Sequence, residues 1–401
     1  MKRFAILVCC VGFLCLLISG CLDIKVVKKK DAGHDQLAKM TMDEKIGQMV
    51  LAGIDGTTVT SQVQSFIKTS KVGGFILYGN NIVTADQTVG LLNALKNTNV
   101  QAGNPQPLFL SVDQEGGRVN RMPSSMMNTP TNRAIGNVDD QHFAFKIGKI
   151  IGQELDDFGF NMDFAPVMDI ETNPTNPVIG DRSFGMDEEL VSKLGVAEMK
   201  GIRSANIIPV IKHFPGHGDT SVDSHLDLPV VNHGLTRLKN VEWRPFQSAI
   251  EQGADVVMAA HLLLPKIDAD HPASLSKRLI TDDLRGLLHF KGVIISDDMT
   301  MGAITKHYDI GDAAVRSIQA GCDIVLVGHG DREVNKVYSA VKKAVNTGRL
   351  SKKRMDESVL RIIKLKHKYH LADQPNEPVN VAKINKEIRT ILNQKKVSDS
   401  K

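Results

Sequence analysis

The segment 212–225 holds three histidines and two aspartates, the densest set of reactive side chains in the chain. Its glycines allow close backbone approach and movement. Asp223 and His225 lie two residues apart within it, so a turn can bring the carboxylate next to the imidazole. A carboxylate bonded to one ring nitrogen fixes the tautomer and raises the basicity of the other nitrogen. The pair is therefore a candidate for general acid/base chemistry.

Short apolar runs alternate along the chain with amphipathic helical patterns such as 141–158 and 188–203. Buried strands that alternate with helices predict βα units and a parallel sheet. Eight such units predict an α/β fold closed into a (β/α)8 barrel rather than an open sheet. The predicted strands span residues 49–54, 74–78, 108–112, 162–168, 207–211, 256–260, 292–296 and 323–327.

Polar side chains stand at or next to the ends of most of these runs. On a (β/α)8 barrel the active site lies at the C-terminal ends of the strands and in the loops that follow them. These positions therefore predict one ligand site ringed by loops. Their residues are Asp113, Asp163, Asp169, Lys212, His213, His261, Asp297, Asp298 and His329.

Four segments, taken together and in order, resemble glycoside hydrolase family 3 in its β-N-acetylglucosaminidase branch. They are Leu110–Arg121, Gly180–Gly185, Lys212–His225 and Ile295–Gly302, and the resemblance covers about residues 40–340. It implies an exo-acting, retaining β-N-acetylhexosaminidase that releases terminal β-linked N-acetylglucosamine from a glycan. We expect neither a metal nor another cofactor.

The resemblance also implies roles for single residues. Asp297 matches the family nucleophile, His225 the acid/base of this branch, and Asp223 its dyad partner. Attack by Asp297 would form a covalent glycosyl-enzyme that water then hydrolyses. The positions that match residues holding the sugar are Asp113, Arg121, Arg182, Lys212 and His213.

Two neighbouring residues and the histidine acid carry further expectations. Asp298 is expected to make a loop hydrogen bond, because adjacent strand residues point to opposite sides. Arg118 is expected to form a structural salt bridge with Glu115. Since a neutral histidine acid repels an anionic acceptor less than a carboxylate would, phosphate could compete with water.

The same residues allow three other interpretations. His217, Asp219, Asp223 and His225 could bind a metal, although their spacing fits no recognised site. A non-catalytic sugar-binding lipoprotein on the same barrel would be indicated by loss of the nucleophile or the dyad, and all three residues are present. A β-glucosidase or β-xylosidase of the same family generally carries its acid as a glutamate in a different segment.

Residues 1–20 have the pattern of a secretory signal: Lys2 and Arg3, an apolar run, then small residues before Cys21. Ile18–Cys21 resembles a bacterial lipobox, which implies cleavage before Cys21 and lipid attachment to it. We therefore expect a protein held by lipid at the extracytoplasmic face of a bacterial cell membrane. The alternative is an uncut N-terminal anchor helix.

The expected domain organisation follows. Residues 21–39 are predicted to be a tether, 40–372 the barrel domain and 373–401 a polar C-terminal tail. Thr41 and Glu44 have the spacing of a capping box that starts the first helix. The net charge of +4 gives no case for a nucleic-acid partner. With three cysteines in the signal and Cys21 taken by the lipid, only Cys322 remains, so no internal disulfide is expected.

Overall fold

The computed structural model describes residues 32–397. Eight parallel strands, hydrogen-bonded in sequence order, close into a barrel, which confirms the predicted fold. The strands are β1 Val50–Gly53, β2 Gly74–Leu77, β3 Phe109–Val112, β4 Met162–Asp163, β5 Ile208–Phe214, β6 Val256–Ala259, β7 Val293–Asp298 and β8 Ile324–Val327.

Helices surround this barrel and also close one of its ends. They are α1 Ala32–Lys39, α2 Met42–Gln48, α3 Ser61–Ser65, α4 Ala85–Gln101, α5 Asn132–Val138, α6 Gln141–Phe158, α7 Glu188–Ser204, α8 Leu235–Asn240, α9 Arg244–Glu251, α10 Gly302–Thr305, α11 Ile310–Ala320, α12 Asp331–Asn346, α13 Lys352–Lys368 and α14 Val381–Lys395. Within residues 32–397, no helix is long and apolar enough to cross a bilayer.

Each of the eight predicted runs overlaps a strand. Strands β5 and β7 extend beyond their runs, to Phe214 and Asp298, whereas the fourth strand is shorter than its run. Strand β4 covers only Met162–Asp163. Pro166 lies in the rest of the run, and a proline has no N–H to donate to a ladder. Val167 makes an isolated parallel bridge with Lys212 further along. The end of the run therefore stays near β5 without extending the strand.

Helix α2 begins as predicted. The Thr41 hydroxyl accepts from the backbone N–H of Glu44 at 3.3 Å. The Thr41 N–H donates to the Glu44 carboxylate at 2.8 Å. Both halves of the capping box are thus present, and they satisfy amide groups that have no partner inside the helix.

Helix α13 closes the barrel at the N-terminal ends of the strands. Asp323, immediately before β8, accepts from Arg354, Ser358 and Arg361 of this helix. Further along the helix, the Lys366 ammonium donates to the carbonyl of Pro107 at 2.6 Å, next to β3. This end is therefore filled by ion pairs and hydrogen bonds, and the site must open at the other end.

Both terminal segments contain a helix within the described residues. The predicted tether ends in helix α1, which packs on α13 and buries Leu37. The predicted tail contains α14, which packs on α6 through Ile384, Ile388 and Leu392. These helices are short or lysine-rich, so their apolar stripes are hard to recognise without the surface that they cover. The signal 1–20 and Cys21 lie outside the described residues.

Buried carboxyl groups predict a pH dependence of stability. Burial raises the pKa of Glu154 to about 8, although a hydrogen bond from Gln114 opposes the shift. The folded protein therefore keeps a proton that the unfolded chain loses near pH 4.3, so this site destabilises the fold as pH rises from there toward 8. Glu154→Gln, a neutral isostere, lacks this loss. Its free energy of unfolding relative to the parent should therefore rise by roughly 2–4 kcal/mol from pH 4.5 to pH 7.5.

Urea unfolding at both pH values measures this difference. Glu377→Gln, on an exposed loop residue, is the matched control. A gain for Glu154→Gln that is the same at both pH values would contradict the expectation.

Candidate active site

A pocket of about 460 Å³ opens at the C-terminal ends of the strands. The structure brings every residue with a predicted catalytic or sugar-holding role to its wall. Those residues are Asp113, Arg121, Arg182, Lys212, His213, Asp223, His225 and Asp297. They come from the ends of β3, β5 and β7 and from the loops that follow β3, β4 and β5.

Asp297 lies near the end of β7, where its carboxylate accepts from the backbone N–H of Asp298 at 2.8 Å. Burial alone raises the pKa of Asp297, but the nearby His261 and His213 rings and this backbone hydrogen bond outweigh it and lower the pKa below its ordinary value. The carboxyl group is therefore ionised at neutral pH, the form that a carboxylate nucleophile requires.

Asp298 has a structural role, as predicted. Its Oδ1 accepts from the backbone N–H groups of Thr300 at 2.9 Å and Gly328 at 2.8 Å. Its Oδ2 accepts from the Thr300 hydroxyl at 2.7 Å. The carboxylate thus ties the turn after β7 to the end of β8 and helps to fix the position of Asp297.

Asp223 and His225 form the expected pair. Asp223 Oδ1 lies 2.7 Å from His225 Nδ1 and accepts from the His225 backbone N–H at 2.9 Å. Because a carboxylate only accepts, Nδ1 carries the proton and Nε2 is left for proton exchange. Burial raises the pKa of Asp223, but the amide and imidazole of His225 lower it overall. The His225 side chain is 65% exposed, so a ligand can reach it.

Asp169 anchors the start of the dyad loop, residues 215–230. Its carboxylate accepts from the backbone N–H of His217 at 2.7 Å and contacts His213 Nδ1 at 2.6 Å. His217 lies 3.0 Å from both the Thr220 and the Ser224 hydroxyls. Burial lowers the pKa of His217 to about 4, so its ring is neutral. The sequence placed Asp169 at a strand end but assigned it no role.

Glu115 is a site residue that the sequence analysis missed. It is 2% exposed and forms a bidentate pair with Arg182, at 2.7 and 2.8 Å. Lys212 Nζ lies 2.6 Å from Glu115 and 2.6 Å from Asp113. Burial raises the pKa of Glu115, but the two cations lower it well below its usual range. Glu115 therefore holds both cations in place at the pocket floor.

The predicted Arg118–Glu115 salt bridge is wrong. Arg118 Nε pairs with Asp181 at 2.8 Å, and its Nη2 donates to the carbonyls of Val178 and Ile179. Arg118 is structural, as expected, but its partner belongs to the loop after β4. Sequence proximity favoured Glu115, whereas the fold gives that carboxylate to Arg182.

Arg121 is positioned through its backbone. Its N–H donates to Gln114 Oε1 at 2.8 Å, and Gln114 Nε2 donates to Asn120 at 2.9 Å. Arg121 Nε is buried without a hydrogen-bond partner in the part of the chain that the structure describes. Arg121 also lines the pocket, where the terminal N–H groups of its guanidinium can donate to a ligand oxygen.

Tyr78 and His329 form one wall of the pocket, and the sequence analysis placed only His329 at the site. Their rings stack with centroids 4.5 Å apart, and the apolar side chains of Met301 and Leu326 also line the pocket. The sequence placed Tyr78 at the end of the second run and His329 after the eighth, but only closure of the barrel brings β2 and β8 together.

The four residues that could bind a metal by the alternative interpretation make separate contacts with other side chains. Asp219 lies 2.8 Å from His233, and His217 contacts the Thr220 and Ser224 hydroxyls. Over residues 32–397, no group of three or more His, Cys, Asp or Glu side chains is placed to hold a metal ion.

The chain is similar to known proteins of one family. Residues 41–365 match the family model described as Glycosyl hydrolase family 3 N terminal domain. The chain is 34% identical over 334 residues to Beta-hexosaminidase A of Pseudoalteromonas piscicida, covering 78% of this chain and 56% of that protein. It is 33% identical to a Beta-hexosaminidase of Nitrosomonas eutropha, covering 78% and 90%.

A solved glycoside hydrolase family 3 beta-N-acetylglucosaminidase from Paenibacillus sp. is similar in structure. Its TM-score is 0.83 at 38% identity, with coverage of 88% of this chain and 68% of that one. A Beta-N-acetylhexosaminidase from Beutenbergia cavernae has a TM-score of 0.77 at 29% identity, covering 82% and 99%.

Proposed function

The chain belongs to glycosyl hydrolase family 3, and we propose that it is an exo-acting β-N-acetylhexosaminidase that releases terminal β-linked N-acetylglucosamine with retention. The observation that carries the proposal is the meeting, in one pocket, of an ionised Asp297 with the Asp223–His225 dyad. The names of the relatives support this substrate class.

In the first step, the Asp297 carboxylate attacks the anomeric carbon while His225 gives its Nε2 proton to the departing oxygen. The C–O bond to the leaving group breaks, and an ester to Asp297 forms. Asp223 stabilises the imidazolium through Nδ1–H. In the second step, His225 takes a proton from water, whose oxygen attacks the anomeric carbon and frees Asp297.

The remaining polar side chains of the pocket are suited to binding a sugar. Asp113 is proposed to accept from sugar hydroxyls, and Arg121, Arg182 and Lys212 to donate to sugar oxygens. His213, whose Nδ1 faces Asp169, presents Nε2 3.4 Å from Arg182. These groups would orient the ring so that its anomeric carbon faces Asp297.

A side-by-side assay tests the substrate class. The purified domain, given chromogenic β-N-acetylglucosaminide and β-glucoside, is expected to prefer the N-acetylated substrate. Preference for the β-glucoside would favour the other family activity, and binding without turnover of either would indicate a sugar-binding protein.

For the natural substrate we propose peptidoglycan fragments in which N-acetylglucosamine is linked to N-acetylmuramic acid, with chitin oligosaccharides as the alternative. The support is the predicted export signal before Cys21, which would place the enzyme outside the cytoplasm. Release of N-acetylglucosamine from each glycan, measured at equal concentration, distinguishes the two sources.

The proposed lipid anchor makes its own prediction. Because one acyl chain binds a membrane only marginally and two or more hold it firmly, the mature protein should fractionate with membranes. Cys21→Ala is expected to release active enzyme or to leave an uncut precursor, read by fractionation and mass spectrometry. Unchanged fractionation together with a parent mass that carries no lipid would count against the anchor.

A further inference from the structure

The proposed nucleophile and the proposed acid/base lie on different segments of the chain. Asp297 is near the end of β7, whereas His225 belongs to the exposed dyad loop after β5. General acid catalysis requires the acid within hydrogen-bond reach of the oxygen that it protonates. Some contact must therefore fix the dyad loop relative to β7.

The structure shows that contact at Gly302, the first residue of α10. Its N–H donates to the carbonyl of His225 at 3.1 Å, and the next N–H, of Ala303, donates to the carbonyl of Ser224 at 3.1 Å. Two consecutive backbone hydrogen bonds thus join the segment after the predicted nucleophile to the residue that carries the predicted acid.

Only glycine permits this approach. A Cβ built on Gly302 would lie 2.6 Å from the carbonyl oxygen of Leu226 and 2.7 Å from that of His225, and both atoms are backbone. Real Cβ atoms essentially never come within 3.0 Å of another heavy atom. Any larger residue would therefore push the dyad loop away from β7.

A second contact joins the same two segments at the surface. His307, which follows α10, places Nε2 2.7 Å from Asp227 Oδ1 in the dyad loop. Lys306 Nζ lies 3.7 Å from the other oxygen of Asp227. Both pairs are exposed, so they are weaker than the backbone contact.

Resting on the proposed function, we propose that Gly302 is a positioning residue that sets the distance between His225 and Asp297. Gly302 does not touch the sugar in this role. It acts through the backbone of His225, with the His307–Asp227 pair supporting the same loop.

Gly302→Ala tests the role through leaving-group dependence. For a β-linked N-acetylglucosamine disaccharide, whose leaving group needs the proton, kcat/KM is expected to fall by about 10–100-fold, since misplacement by about 1 Å can cost about 100-fold. For the dinitrophenyl glycoside, which needs no acid, kcat/KM should be nearly unchanged. His307→Ala should change the ratio of the two kcat/KM values by less than Gly302→Ala does. Gly90→Ala, at an exposed position of α4 with nothing within 4 Å of the added Cβ, should not change this ratio.

Hydrogen–deuterium exchange at residues 302–303, whose N–H groups donate the two hydrogen bonds, and across residues 222–228 reads the contact without any substrate. Protection should fall in Gly302→Ala and in His307→Ala but not in Gly90→Ala, and His307→Ala serves alone if Gly302→Ala does not fold. An unchanged ratio and unchanged protection, or equal losses on both substrates, would overturn the positioning role. A parent protein inactive on both substrates would instead refute the proposed function, and the exchange result would still decide whether Gly302 holds the loop.

Discussion

Asp297→Asn is expected to lose turnover by on the order of 10⁴-fold or more while keeping the fold, since removal of a nucleophile leaves only binding and electrostatic stabilisation. The Asn side chain has the same shape and can still accept the 2.8 Å hydrogen bond from the Asp298 N–H. It lacks the charge needed to attack the anomeric carbon. Turnover of a chromogenic β-N-acetylglucosaminide and the circular dichroism spectrum measure the two parts of the expectation.

Asp298→Asn is the matched control, because it removes the adjacent charge from the same strand end. An Asn there can still accept from the Thr300 and Gly328 N–H groups, so the turn after β7 should persist with a milder loss of activity. An inactive Asp298→Asn beside an active Asp297→Asn would mean that the nucleophile has been placed one residue too early.

His225→Ala is expected to affect substrates according to their leaving group. General acid catalysis contributes about 10²–10⁴-fold, so hydrolysis of a natural disaccharide should fall by about that much. A dinitrophenolate departs without a proton, so the first step with that substrate should be nearly spared. Pre-steady-state release of dinitrophenol and steady-state turnover separate the two steps.

The same variant should accumulate the ester on Asp297, because water then has no base. Azide, which needs no base, should accelerate turnover and give a β-azide product. Asp223→Ala should show a weaker form of this pattern, since the imidazole remains but loses its 2.7 Å partner at Nδ1. Equal losses on both substrates without azide rescue would place the acid/base elsewhere.

The meeting of the candidate site residues in one pocket could be predicted from the sequence because they lie in local patterns. The Asp223–His225 spacing is short enough that one turn decides the contact, and Lys212, His213 and Asp297 are terminal residues of buried strands, where this fold gathers its reactive groups. The four family-like segments then added roles that spacing alone does not supply.

Contacts between distant segments could not be predicted in the same way. Glu115 was expected beside Arg118, but it lies against Arg182 and Lys212, which are 67 and 97 residues away in the chain. The stacking of Tyr78 on His329 likewise depends on barrel closure, which pairs β8 with β1. The backbone contact of Gly302 with His225 depends on the meeting of the segments that follow β7 and β5.

Hydrophobic periodicity and turn chemistry act over a few residues, so the alternation of strands and helices and the reactive residue types at the strand ends follow from local sequence. Only the folded chain shows which carboxylate pairs with which cation, that the pKa of Asp297 is lowered despite its burial, and that the dyad loop contacts α10. Those properties depend on distances between groups far apart in the chain, and close packing sets such distances.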